Sequence, residues 1–125
     1  MEFIKIPRHT FVTLLSIAYD YNPHIKDSLS SAKELMQTDG AVWYVNHAHT
    51  AGYGVKSDGD LIAVWSTVKG QGKQIVESAV INGAVKLDCF DGFLVDFYSD
   101  NGFSVVNRVS NWDGAGFPDV VYMQR

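Results

Sequence analysis

Leu61-Ile62-Ala63-Val64-Trp65-Ser66-Thr67-Val68 is the most apolar strand-like run of the chain, and it leads directly into Lys69-Gly70-Gln71-Gly72-Lys73. An unbroken run rich in aliphatic and β-branched residues reads as a buried strand, and this one is expected to be central in its sheet. The glycines behind it read as a loop. Ile75, Val76, Ala79 and Val80 then fall on one helical face, and Asn82-Gly83 closes that helix as a C-cap. Val85-Lys86-Leu87-Asp88-Cys89-Phe90 returns to a strand. Strand, loop, helix and strand in this order form a βαβ unit, with parallel strands and a right-handed crossover.

Upstream, residues 2–6 alternate polar and apolar like a strand, and Pro7 ends it because proline cannot donate to a ladder. Phe11, Leu14, Leu15 and Ala18 recur at helical spacing, so 9–21 is expected to be a helix, stopped at Asn22-Pro23. A second helix is expected over 28–37, with Leu29, Ala32, Leu35 and Met36 on one face and Ser28 or Ser31 as its cap. Ala41 to Asn46 reads as a strand, Thr50 to Lys56 as a weaker one carrying Gly52 and Gly54, and Ser57-Asp58-Gly59-Asp60 as a hairpin turn. Downstream, a helix over about 92–100 is expected to turn Phe93, Leu94 and Phe97 inward, and strands are expected around Val105–Val109 and Asp119–Met123. The order β-α-α-β-β-β-α-β-α-β-β belongs to an α/β (α+β) protein with a mixed, mostly antiparallel sheet and helices on both faces.

The chain has 125 residues, which predicts one domain over 1–125. Ten basic against fourteen acidic residues leave a net charge of −4, with a pI of about 5.4. That excludes the broad positive field of a duplex-DNA binder, so no DNA partner is expected. Cys89 stands alone, so neither an internal disulfide nor a multi-cysteine zinc site can form. No apolar run of membrane-spanning length and no signal-like start are visible, so the expected setting is cytoplasmic and no membrane partner is expected.

The sequence resembles the GNAT superfamily of acyl-CoA-dependent N-acyltransferases. The family's Arg/Gln-x-x-Gly-x-Gly/Ala loop aligns with Lys69-Gly70-Gln71-Gly72-Lys73-Gln74. Lysine stands for arginine, Gly72 matches, and Gln74 replaces the small residue. The family's Asn-x-x-Ala-x-x-Phe-Tyr-x-x-x-Gly-Phe aligns with Asp91 through Phe103, matching at Phe97-Tyr98 and Gly102-Phe103, with Asp91 in place of asparagine. Leu87 through Arg108 is also similar to short GNAT-like proteins of phages and mobile elements. The resemblance implies acetyl-CoA as cofactor, lying between a central splayed parallel pair, 61–68 and 85–90. Its pyrophosphate would rest on loop 69–74, with Trp65, Ser66 and Val68 at the end of the strand beside it.

The loop has a physical rationale. The first amides of a helix have no partner within it, and that end of the helix is positive. Gly70, Gly72, Lys73 and Gln74 would donate their amides, and the ammonium of Lys69 or Lys73 would add a point charge. Tyr98 matches the family tyrosine that protonates the departing thiolate. The base that deprotonates the acceptor amine, on a small molecule or a protein, is open: Asp60 at the start of the strand, His49, His47 and Asp88 are the candidates.

Other features have simpler readings. His47 and His49 share a face if extended, and with His9 or His24 could hold a metal ion. No partner at fixed spacing supports that, so no metal is expected. Cys89 lies in an apolar strand and reads as a buried thiol. Asn111 to Pro118 reads as a connecting loop that could shape an acceptor pocket or a protein-binding surface. A catalytically degenerate protein of this family, such as a phage-encoded inhibitor that binds a host protein, is the alternative to an enzyme.

Overall fold

A computed structural model describes residues 1–21, 32–114 and 116–125. The elements are β1 (Phe3–Ile6), α1 (Arg8–Tyr21), α2 (Ala32–Met36), β2 (Ala41–Asn46), β3 (Ala51–Lys56) and β4 (Leu61–Ser66). They continue with α3 (Gly72–Ile81), β5 (Lys86–Phe90), α4 (Phe93–Asp100), β6 (Ser104–Val109) and β7 (Val120–Gln124). The class is the α+β expected, and the order of elements is the one read from the sequence. Ser28, Leu29 and Ser31 of the expected second helix lie outside the described residues.

The chain divides into two compact units, Met1–Ala84 and Val85–Arg125. The first holds a four-stranded sheet in the order β1-β2-β3-β4, and the second a three-stranded sheet in the order β5-β7-β6. Every ladder is antiparallel. The strands read as a βαβ pair, β4 and β5, therefore belong to different sheets, and neither hydrogen-bonds to the other. Within its own sheet β4 is outermost, not central. Of the two interior strands, β3 is the one whose small residues are covered by side chains from the strands on either side.

Register puts Trp43 opposite Gly54, Val45 opposite Gly52, and Trp65 opposite Gly52 on the other side. All project to one face of the sheet, because strand side chains alternate. There they meet Phe11, Leu15 and Ala18 of α1 and Leu35 of α2, with Phe11 and Trp43 at a ring separation of 4.7 Å. A Cβ on Gly52 would stand 2.6 Å from Trp65 Nε1 and 2.8 Å from the Tyr44 carbonyl oxygen; one on Gly54 would stand 2.7 Å from the Trp43 ring. The glycines that weaken β3 as a strand by propensity are what lets two indoles lie flat across it.

The opposite face carries Phe3, Tyr44 and Tyr53, with Tyr44 stacked on Tyr53 at 5.0 Å. Here α3 is fastened. The Tyr53 hydroxyl lies 2.6 Å from Ser78 Oγ and accepts a hydrogen bond from Asn82 Nδ2 at 2.8 Å. The first sheet thus has helices on both faces, α1 on one and α3 on the other. α3 ends as the Asn-Gly pair predicted: Gly83 takes φ +101°, its amide donates to Val80, and the Ala84 amide donates to Ala79. This double closure is a Schellman motif.

In the second unit α4 ends the same way. Gly102 has φ +94°, its amide donates to the Ser99 carbonyl, and the Phe103 amide donates to that of Tyr98 at 3.0 Å. Phe103 packs edge-on against Tyr98 at 5.9 Å, the apolar contact that accompanies such closures. The inward face of α4 is Leu94, Phe97 and Tyr98; Phe93, expected inward, is 80 % exposed. As the first helical residue it has no preceding turn to cover. Strand β6 is outermost in its sheet and exposed along its whole length. In the loop beyond it, Asn111 bridges to the Pro118 carbonyl, leaving Trp112 and Phe117 exposed.

The crossing at Gly52 generates a prediction. Gly52→Ala must push either an indole or a neighbouring strand, and overpacking of this kind costs about 3 kcal/mol. Denaturant unfolding of the variant reads this directly. A loss below about 1 kcal/mol would show that the sheet yields there.

Candidate functional site

The loop between β4 and α3 is built by its backbone. Gly70 has φ +84°, a conformation that side chains resist, and turns the chain into α3. The first hydrogen bond of the helix runs from the Ile75 amide to the Gln71 carbonyl at 3.0 Å. The amides of Gly72, Lys73 and Gln74 precede it, and no side chain caps this end. No acidic residue stands in the first turn. Lys69, Lys73 and Gln74 are exposed around it, and Lys73 makes a long contact of 3.9 Å with Glu77, both side chains well solvated. The end of α3 therefore offers uncapped donors beside exposed positive charge, the chemistry of an anion site.

Side chains nearby are already engaged. Ser66 Oγ lies 2.7 Å from the Val68 carbonyl and 2.8 Å from Gln71 Oε1, and it accepts from the Val68 amide at 3.2 Å. Val68 is exposed, whereas Trp65 is 3 % exposed and its indole belongs to the core against Phe11 and Gly52. Trp65 Nε1 is buried without a hydrogen-bond partner among the described residues.

Two features escaped the sequence reading. β4 carries a bulge: Gly52 pairs with Trp65 but Gly54 pairs with Ile62, so one extra residue enters β4, and Ala63 takes φ +51° there. Bulges and left-handed non-glycine residues mark re-aimed backbone and recur beside functional sites. Alanine gives no sequence signal for this. The second is Asn46, buried at 3 % exposure. Its Oδ1 accepts from the Thr50 and Ala51 amides, and its Nδ2 donates to Thr50 Oγ1 at 2.8 Å.

The candidate bases are dispersed. His49 is exposed in the β2–β3 turn at φ +56°. That turn lies at the loop end of β4, since the Thr67 amide donates to the Thr50 carbonyl at 2.8 Å. Asp60 sits in the hairpin turn at the other end of β4, about 17 Å along the strand. His47 is exposed, 3.6 Å from Glu2, and Asp88 is exposed in β5. Among the described residues no three His, Cys, Asp or Glu side chains gather as a metal site. No described helix is long and apolar enough to cross a membrane.

Tyr98 is buried between Phe97 and Phe103. Burial, and then the neighbouring Cys89, hold its hydroxyl well above the ordinary tyrosine range. Both effects favour the neutral phenol, which keeps its proton to donate. Burial, followed by the carboxylates of Asp88 and Asp91, pushes the Cys89 thiol up to about 11. An unfolded thiol ionises near about 8.5. The folded state thus holds this proton more tightly. The contribution to stability is complete below about pH 8.5 and disappears as pH rises through about 11. Iodoacetamide at pH 8 is expected to label Cys89 only after unfolding; rapid labelling of the folded protein would contradict a neutral, half-buried thiol.

No family model matches the sequence, and no curated protein matches it. Solved structures do. The chain is similar to a spermidine N-acetyltransferase mutant from Vibrio cholerae, with a TM-score of 0.68 at 13 % identity over 98 % of this chain and 93 % of that one. It is similar to the aminoglycoside 6'-N-acetyltransferase from Enterococcus faecium, with a TM-score of 0.60 at 13 % identity over 100 % and 96 %. A GNAT-family acetyltransferase from Streptococcus pneumoniae gives 0.64 at 13 % identity over 99 % and 97 %. At that identity the shared property is architecture: the chain has the fold of the GNAT acetyltransferases.

Proposed function

We propose that the protein is an acetyl-CoA-dependent N-acetyltransferase that transfers the acetyl group to an amine by direct attack. The observation that carries this reading is the uncapped start of α3 behind Gly70, on a chain that shares its fold with N-acetyltransferases named for spermidine and aminoglycosides. The amides of Gly72, Lys73 and Gln74 would take the pyrophosphate, with Lys69 or Lys73 as neutralising charge. With a net charge of −4 the protein has no general field to draw an anion, so affinity rests on this local arrangement.

In the reaction a neutral amine would attack the thioester carbonyl, the carbon–sulfur bond would break, and Tyr98, in the role of the family tyrosine it matches, would supply the proton to the departing CoA thiolate. The products are the N-acetyl amide and CoA. The acceptor's proton goes to a base. His49 is favoured over Asp60, because it lies at the loop end of the first sheet, beside the start of α3, whereas Asp60 lies at the far end of β4. The acceptor is a small molecule or a protein, and the expected setting is cytoplasmic.

Calorimetry with CoA and acetyl-CoA tests the reading; failure to bind at millimolar ligand overturns it. Tyr98→Phe is expected to lower kcat about 100-fold while leaving KM for acetyl-CoA unchanged. Because burial raises Tyr98, the wild-type rate should show no alkaline loss near pH 10 from an ordinary tyrosine.

One observation favours a second reading, in which the fold is retained without acyl transfer and the protein acts by binding another protein, for example as a phage-encoded inhibitor in a host cytoplasm. Strand β4 carries no acid or base, Asp60 standing outside it in the turn. A partner whose binding survives Tyr98→Phe and Gly72→Glu together would support this; loss with either substitution would count against it.

A further inference from the structure

The start of α3 lacks a side-chain cap although a polar residue, Gln71, occupies the capping position. Its side chain is turned away from the helix. Gln71 Oε1 lies 2.8 Å from Ser66 Oγ at the end of β4, and Gln71 Nε2 is 3.4 Å from Thr50 Oγ1 in the β2–β3 turn. Thr50 Oγ1 in turn accepts from the buried Asn46. A continuous path of polar contacts thus runs from Asn46 through Thr50 and Gln71 to Ser66 and the Val68 backbone. It joins two turns of the first sheet at the point where the chain enters α3.

The three leading amides stay free of a side-chain cap while the loop that bears them is anchored from the side. Asn46 gives the path a fixed origin. At 3 % exposure it cannot satisfy its amide from water, so its bonds to Thr50 and Ala51 are obligatory.

We propose that Gln71 and Thr50 are positioning residues for the pyrophosphate of the acyl donor, acting through the backbone of residues 68–74 without touching the ligand. This rests on the acetyltransferase reading above. It predicts that the pair acts as one device. Removing either end should release the loop, and removing both should do no further harm, because contacts in series are not additive.

The test compares wild type, Gln71→Ala, Thr50→Val and the double variant by calorimetry with CoA and with pantetheine, which lacks the pyrophosphate. Each single substitution is expected to weaken CoA about tenfold, and the double variant about as much as either single one. Pantetheine affinity should not move. Unchanged CoA binding in the single variants, or two effects that multiply, would overturn the proposal, as would equal losses for CoA and pantetheine, which indicate general damage to the fold. Backbone order parameters separate this proposal from the reading it rests on. In Gln71→Ala, residues 69–74 should fall from the rigid range of about 0.85 towards about 0.6. Failure of the wild type to bind CoA together with that fall would remove the acetyltransferase reading and leave Gln71 as the anchor of the loop; an unchanged order parameter would remove the anchor itself.

Discussion

Two indoles lying across a glycine strand set the terms for the first unit. Because Gly52 and Gly54 have no side chains, Trp43 and Trp65 reach over β3 from opposite sides, and Phe11 can press against the same surface. Helix α1 is seated by that surface. The bulge at Ala63 falls in the span between the two glycines, where β4 must carry Trp65 to Gly52 while Ile62 remains opposite Gly54. A flat strand could not make both contacts at the same register. The position of β4, and with it the direction in which the chain leaves towards α3, follows from an arrangement that propensity alone would disfavour.

The other face uses polar chemistry for the same purpose. Tyr53 is held by Ser78 of α3 and by its C-cap Asn82, so the helix is fixed near its C-terminal end by hydroxyl and amide groups. Its N-terminal end is held through Gln71, Thr50 and Asn46. Helix α3 is thus pinned at both ends, and its first turn carries no side-chain cap.

Much of this architecture was legible in the residues. Ala41–Asn46 is a strand with the bounds expected, and Asp58-Gly59 and Asn82-Gly83 turn where glycine demands a positive φ. These signals are local, so they survive any tertiary context. Phe97-Tyr98…Gly102-Phe103 proves to be legible in two ways. The spacing that suggested an acyltransferase is also that of a helix stop, with Tyr98, Gly102 and Phe103 in the roles a Schellman closure requires. What could not be read was non-local. That β4 is outermost in its sheet depends on a pairing between strands that no single run of residues records. Phe93 is exposed because it opens α4 and has no preceding turn to cover, and helical spacing alone places it on the inward face. Ala63 is left-handed with no residue-type signal, and Asn46, Thr50 and Gln71 are ordinary polar residues until the turns bring them together.

The strand order of the two sheets has a consequence for how the protein comes into being. In the first sheet each strand pairs with the one made just before it, so the ladders can close in turn as the chain emerges from the ribosome. In the second, β7 lies between β5 and β6, yet it comes after both in the chain. Neither earlier strand has a ladder partner until Val120–Gln124 have been synthesised. The two units thus differ in what their ladders require: the first pairs strands that follow one another in the chain, whereas both ladders of the second wait on the same five residues.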